Sequence, residues 1–394
     1  MTLHARLLTR GLPVLAAGGL LAGSAAMVAP ISAAATEVPA ASSSGLGNGT
    51  PGSYTTNLKG VCPSNVIIQT DWWPEPDHGG LYELIPPGAG KANINANSYS
   101  GPLGHTGVEV TLLAGGPAVG YQNVTSQLYV NPNIYLGQVQ TDESIQLSAT
   151  QPTTAVFASY EKSPQIFFWG NPKWNFKTVK QIGQSGVTVL AYQATYLDVF
   201  ESEGLLTSKQ VDTSYQGNPS RFVAAGGNIV SQGFIDDEPY IYAHEVQGWD
   251  KAVHYITVAN EYPVYTNSLV VRSAALKSDS ACLTKLVPIL QQAEIDYVHN
   301  PAEVNQVIYN FASSLKGGSQ LNIPGSVAAV KILVSSGIIA NGTDGVFGSF
   351  NTTRLQKLIA TLKPIFASQQ KPIKAGLQPS DIATNQFLDP NIHL

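Results

Sequence analysis

The chain has 394 residues, of which 43% are hydrophobic and only 12% charged, and its formal net charge is −5. That length fills two cores rather than one, and so apolar a composition excludes a disordered chain. No stretch is basic enough to follow a phosphate backbone, which excludes nucleic acid as a partner.

The N-terminus reads as a secretory leader over residues 1–35. His4, Arg6 and Arg10 precede an apolar run from Leu12 to Val28, and small residues at Ser32 to Ala35 offer a cleavage site. Pro13 and several glycines interrupt the run, which is also short for a membrane span. No Cys follows it to carry a lipid. Residues 36–60 are rich in Ala, Ser, Gly and Thr and read as a flexible linker.

Beyond residue 60 the chain alternates strand and helix. Strands are predicted at 66–70, 107–113, 133–139, 154–160 and 165–170, with a long loop over 86–107 and a helix over 142–149. A short helix over 176–181 precedes a strand at 187–191. A helix at 195–203 is closed by Gly204, and strands at 211–214 and 229–233 flank a helix at 222–225. Two more strands, 254–259 and 267–272, lead into a helical tail from Ala281 onwards. Such alternation predicts an α/β fold.

The candidate site residues sit at strand ends, where ligands bind in open α/β sheets. The first group is the loop after the opening strand, Asp71-Trp72-Trp73-Pro74-Glu75-Pro76-Asp77-His78-Gly79-Gly80-Leu81-Tyr82. Trp72, Trp73 and Tyr82 can stack on a flat ring, His78 can donate or accept a hydrogen bond, and Asp71 can read an amine or cap the loop. The alternative is that the tryptophans are core and His78 is a satisfied structural residue. The second group is Gln140 and Asp142 at a strand-to-helix turn, either a polar subsite or an ordinary capped helix. The third is Tyr192 and Gln193, and the fourth is Phe234, Asp236 and Glu238 in Gly233-Phe234-Ile235-Asp236-Asp237-Glu238-Pro239-Tyr240. A metal or glycosidase reading of that acidic run fails because neighbouring carboxylates do not supply opposed geometry. There is no nucleophile elbow, phosphate loop or His-Glu-x-x-His, so no catalytic residue, metal or cofactor is predicted. Cys62 and Cys282 are the only cysteines. They form either one disulfide, as an exported chain favours, or two buried thiols.

The pattern Asp-Trp-x-Pro-x-x-x-His-x-Gly-Leu-Tyr over residues 71–82 resembles the opening of solute-binding proteins for thiamine pyrimidine precursors, whose relatives serve sulfonates and nitrate in ABC uptake systems. The segment Gly233-Phe234-Ile235-Asp236-Asp237-Glu238-Pro239 resembles their Gly-aromatic-x-x-Asn/Ser-Glu-Pro segment as well, with Asp237 at the Asn/Ser place. The resemblance spans roughly residues 64–315. It implies a type 2 periplasmic-binding fold, with lobe one over 61–158 plus 262–394 and lobe two over 159–261. It also implies a monomer that closes on a small, nitrogen heterocyclic or aromatic solute and then docks on an ABC permease outside the cytoplasm. The family has Asn where this chain carries Glu75 and Asp77, a change that adds negative charge and favours an amine-bearing ligand. A secreted enzyme on the same fold and an envelope sensor or adhesin are the rival readings.

Overall fold

The computed structural model describes residues 45–214, 217–317 and 322–394, so the expected leader and its expected cleavage point lie outside the described residues. Strands β1 (Asn65–Gln69), β2 (Lys91–Asn93), β3 (Ser98–Pro102), β4 (Glu109–Leu113), β5 (Ile134–Val139) and β6 (Thr153–Ala158) precede β7 (Gln165–Trp169), β8 (Val189–Leu190), β9 (Val211–Asp212), β10 (Val230–Phe234), β11 (His254–Thr257) and β12 (Ser268–Arg272).

They build two sheets, in the orders β2-β3-β4-β1-β5-β12-β6 and β11-β7-β10-β8-β9. In the first, β1 runs parallel to β4 and β5, while β12 is antiparallel to β5 and β6. In the second, β8 runs parallel to β9 and β10, while β7 is antiparallel to β10 and β11. With the β2–β3 pair at the edge of the first sheet set aside, both sheets share one order: second, first, third, incoming, fourth. The incoming strand is the one the chain forms on arriving from the other sheet, β7 after residues 159–164 and β12 after residues 258–267. Two α/β lobes that exchange strands through two crossings are the type 2 periplasmic-binding architecture.

The strand sequences follow from this placement. β5 and β7 are interior strands and the edge strand β6 is covered by a bridge from Ala155 to Ala383, so all three are buried along their whole length and read as continuous rather than alternating runs. The helices of the first half are α1 (Gly79–Tyr82), α2 (Val124–Val130), α3 (Thr141–Gln146), α4 (Val179–Ser185), α5 (Thr195–Ser202), α6 (Ser220–Ala224) and α7 (Glu238–His244). The chain closes with α8 (Ser280–His299), α9 (Ala302–Ser314), α10 (Ile323–Ser335), α11 (Thr352–Ser368) and α12 (Pro379–Ile382), of which α10 also packs on α7 and α11 on α5 of lobe two. Cys62 and Cys282 are bonded, Cα atoms 4.8 Å apart across 220 residues of sequence, and tie the entry to β1 to the first turn of α8.

Three expectations are corrected. Residues 45–60 are not a loose arm, because Tyr54 and Leu58 are completely buried and Thr55 and Thr56 donate to the Gly45 carbonyl. The stretch 86–107 is not all loop. β2 and β3 form an antiparallel hairpin on β4, turned through Asn97 at φ +47°, a left-handed position Asn tolerates. The helix expected at 176–181 starts at Val179, where the Thr178 hydroxyl accepts from Gln181 N.

Candidate acidic and aromatic site between the lobes

At the end of β1 the Gln69 side-chain amide donates to the carbonyls of Thr70, Leu113 and Ala114, each at 3.1 Å, which moors the opening loop to the end of β4. The Gly115 amide donates to the Trp72 carbonyl at 2.9 Å. A Cβ on Gly116 would collide with the Trp72 indole. The indole is thus seated on bare backbone and still 40% exposed. Tyr121 stands beside it, ring centroids 5.9 Å apart, 73% exposed and held at φ +61°. An exposed tyrosine in the left-handed region costs on the order of 1 kcal/mol. Trp73 turns the other way, into the core.

After Pro76 the loop winds into a single 3-10 turn and then α1. The Gly79-Gly80 pair lets α1 lie directly on α8, because a Cβ at either glycine would enter Tyr297 or Glu294. His78 is 1% exposed, with Nε2 2.9 Å from Asp71 Oδ1 and Nδ1 3.5 Å from Asp77 Oδ1. Burial alone would lower its pKa, but Asp77 and Asp71 outweigh burial and hold it up at about 9. It is an imidazolium between two carboxylates. Ligand atoms of Asp71, Asp77 and His78 lie within 4.8 Å of one another. With both ring nitrogens directed at carboxylates, that cluster has the form of an ion-paired triad rather than of a metal site. Tyr82 packs against Tyr99 and Phe311 inside lobe one.

Lobe two answers with the loops after β8 and β10. Glu238 opens α7, and its Oε2 accepts the Phe234 amide at 2.6 Å. A Cβ on Gly233 would come within 2.6 Å of that carboxyl, so only glycine leaves the path open. Phe234 is 41% exposed and Tyr192 45%. Burial raises the Tyr192 hydroxyl above its ordinary value, and Tyr121 and Glu238 add to the rise.

The floor is acidic. Burial raises the carboxyl of Glu75 well above its usual range, and Asp237, Asp77, Asp236 and Asp71 raise it further. Asp236 is raised likewise by burial, then Asp237 and Asp77. Burial and Asp77 push Asp237 up to about 7, and burial and Asp237 push Glu238 up to about 8. Among the described residues none of these acids is ion-paired with Lys or Arg, and His78 is the cation beside them. Oδ1 of Asp77 and of Asp236 and the Tyr160 hydroxyl are buried without a hydrogen-bond partner, whereas Asp77 Oδ2 accepts from Asn267 Nδ2 at 3.2 Å. Tyr160 and Asn267 belong to the two crossings.

Asp71 and Trp72 stand on the opening loop of lobe one beside Tyr121, and Tyr192, Phe234, Asp236 and Glu238 stand on the two loops of lobe two, while Trp73, His78 and Tyr82 face inwards. Gln140 is exposed. Asp142 accepts the Tyr262 hydroxyl at 2.6 Å, and Gln193 donates to Asp198 at 3.2 Å, so these are engaged locally. Tyr121, Tyr160 and Asn267 escape a reading by sequence. Gly120-Tyr121 was the available signal, since a turn glycine beside an aromatic marks a bend that presents a ring.

No protein-family model and no curated protein matches the sequence. Among solved structures the chain is similar to the alkanesulfonate-binding protein of Xanthomonas axonopodis pv. citri bound to MOPS, at TM-score 0.49 and 12% identity, over 82% of this chain and 99% of that one. It is similar to the Escherichia coli periplasmic aliphatic sulphonate-binding protein at TM-score 0.48 and 11% identity, over 80% and 94%. The periplasmic nitrate-binding protein of Synechocystis PCC 6803 gives TM-score 0.46 and 9% identity, over 82% and 87%. Likeness at this level fixes no ligand and no role.

Proposed function

We propose that the protein is an exported, monomeric solute-binding protein of an ABC importer, which closes its lobes on a small nitrogen-bearing, ring-containing solute and presents it to a permease. One observation carries the reading. Loops from the strand ends of both lobes present exposed aromatic rings and carboxyl groups that no described Lys or Arg partners, at the points where strand order reverses. The disulfide supports an oxidising, extracytoplasmic compartment. No described helix is long and apolar enough to cross a membrane.

Lobe closure is a hinge motion, so a true solute lowers the radius of gyration in solution and quenches or shifts Trp72 fluorescence. Solute uptake by the producing cell should also fail when this gene alone is removed. Conversion of a bound solute into product would instead establish the enzyme reading. Binding without loss of uptake on gene removal would establish the sensor reading.

A further inference from the structure

We infer that the solute is an organic cation, held with its charged, alkylated or ring-borne head among Trp72, Tyr121, Tyr192 and Phe234 and over the carboxylates of Asp71, Glu75, Asp236 and Asp237. This rests on the solute-binding reading of the same site and specifies the charge of what enters it.

The acids alone would not carry this, since acidic clusters are common on solvated faces. Three independent features turn them into a site. Exposed aromatic rings come from loops of both lobes, and Trp72 and Tyr121 are held in place by Gly116 and by a left-handed backbone. Cations are attracted to such ring faces, and cages of them recognise alkylated ammonium groups. Next, the Tyr160 hydroxyl is completely buried and without a partner, yet lies in the field of Asp77 and Asp236. Finally, Asp236 Oδ1 is buried without a hydrogen-bond partner and is an acceptor open to a donor.

Charge decides between ligand classes. An anion would meet carboxylates from both lobes without an intervening Lys or Arg. A neutral ring would satisfy the aromatic groups alone, because carboxyls that burial and their neighbours keep protonated offer it no countercharge. A cation satisfies both sets at once, and its attraction is strengthened as closure expels water.

The test is calorimetric titration of the full mature protein with a matched panel. The cations are choline, N-methylpyridinium, guanidinium and a short diamine. The controls are 3,3-dimethylbutanol as the neutral isostere of choline, an alkanesulfonate as an anion, and Ca²⁺, Mn²⁺ and Zn²⁺ alone. At least one cation is expected to bind more than about tenfold tighter than its neutral isostere, with affinity falling as salt rises. Trp72→Ala and Asp236→Asn should each weaken it by about tenfold or more, while Gln140→Ala leaves it unchanged. Circular dichroism confirms that the variants fold.

Binding of the neutral or anionic solutes in preference overturns the charge assignment and leaves the solute-binding reading standing. Binding of a divalent metal alone, abolished by Asp71→Asn, overturns it in favour of the His78 triad as a metal site. Failure of every cation to bind at millimolar concentration also overturns it.

Discussion

Burial pushes the carboxyl of Glu294 up to about 8 and that of Glu83 up to about 9, far above an exposed glutamate. Asp77 adds to the first, and Asp296, Glu303 and Glu294 add to the second. Between the usual carboxylate range and these values the native chain keeps protons that the unfolded chain has released, so each rise in pH favours unfolding. His78 acts in the same direction. Its raised folded value of about 9 gives stability that is complete below its unfolded pKa near about 6.5 and is lost as pH rises through about 9. The melting temperature is therefore expected to be highest near about pH 5 and to fall steadily towards about pH 9. Glu294→Gln should flatten the fall by removing one linked proton, and a wild-type melting temperature that rises over this range would refute the assignment. The same scale shows where sequence stops being informative. Trp72 and Trp73 are adjacent and chemically identical, yet one is seated on Gly116 at the cleft and the other lies in the core. A loop has no period from which to read that choice. The acids at 75 and 77 were legible as extra charge, but their pairing with Asp236 and Asp237 depends on two segments about 160 residues apart meeting across the lobes.

Among elements, α1 is a four-residue helix whose position depends on what it lacks. Gly79→Ala places a methyl inside the Tyr297 ring and is expected to cost about 1–3 kcal/mol, with urea unfolding as the measure. An unchanged midpoint would mean that α1 and α8 separate freely. A second element-level device is Arg354 on α11. Its Nε donates to the Pro263 carbonyl, Nη1 to the Glu161 carbonyl and Nη2 to the Val264 carbonyl, each at 2.7 Å, while its guanidinium lies 3.7 Å from the Tyr265 ring centre. One side chain thus fastens both crossings. Arg354→Ala strands three carbonyls and the Glu161 carboxylate, so a loss on the order of 3 kcal/mol is expected. Arg354→Lys should recover little of it, since a point charge cannot reach three divergent acceptors. Full recovery with Lys would show that charge alone matters. The disulfide is the third fastening. In the chain-entropy model its 220-residue loop is worth on the order of 5 kcal/mol, so Cys62→Ser with Cys282→Ser should lower the unfolding midpoint markedly. Strands such as β6 and β7 were legible because burial on two faces leaves an unbroken apolar run. The β2–β3 hairpin was not, because Lys91, Ala92 and Asn93 are all exposed and carry no alternation. The partners of Cys62 and Cys282 were legible only because there were no others to choose from, whereas nothing in the chain's local pattern announces the Arg354 clamp.

Across the whole molecule, like charge is set against like charge. Glu75 and Asp77 belong to lobe one and Asp236 and Asp237 to lobe two, and each side raises the other's carboxyls. Opposing this are polar contacts that hold the lobes together. The Tyr240 hydroxyl donates to Asn322 at 3.2 Å, Asn322 donates to Glu245 at 2.7 Å, and Gln369 donates to Asp198 at 2.8 Å. With both crossings clamped by Arg354, relative motion of the lobes must be absorbed in the few residues on either side of those anchors. As pH rises through the values of Asp237, about 7, and Glu238, about 8, these carboxyls ionise and favour separation, and neutralising them favours closure. A cation between the lobes and a neutral substitution of the acids should therefore have the same mechanical effect, since a solute shifts the equilibrium only by its differential affinity for the two states. Glu75→Gln with Asp237→Asn is accordingly expected to lower the radius of gyration of the solute-free protein in X-ray scattering at low salt and a pH above the Glu238 value of about 8, where these acids ionise. Raising the salt concentration should bring the wild type towards the same value, because partly exposed charges are screened over about 8–10 Å at moderate ionic strength. If the double variant is as extended as wild type at every salt concentration, repulsion between these acids does not set the resting separation of the lobes, and the interlobe contacts of Asn322 and Gln369 govern it instead.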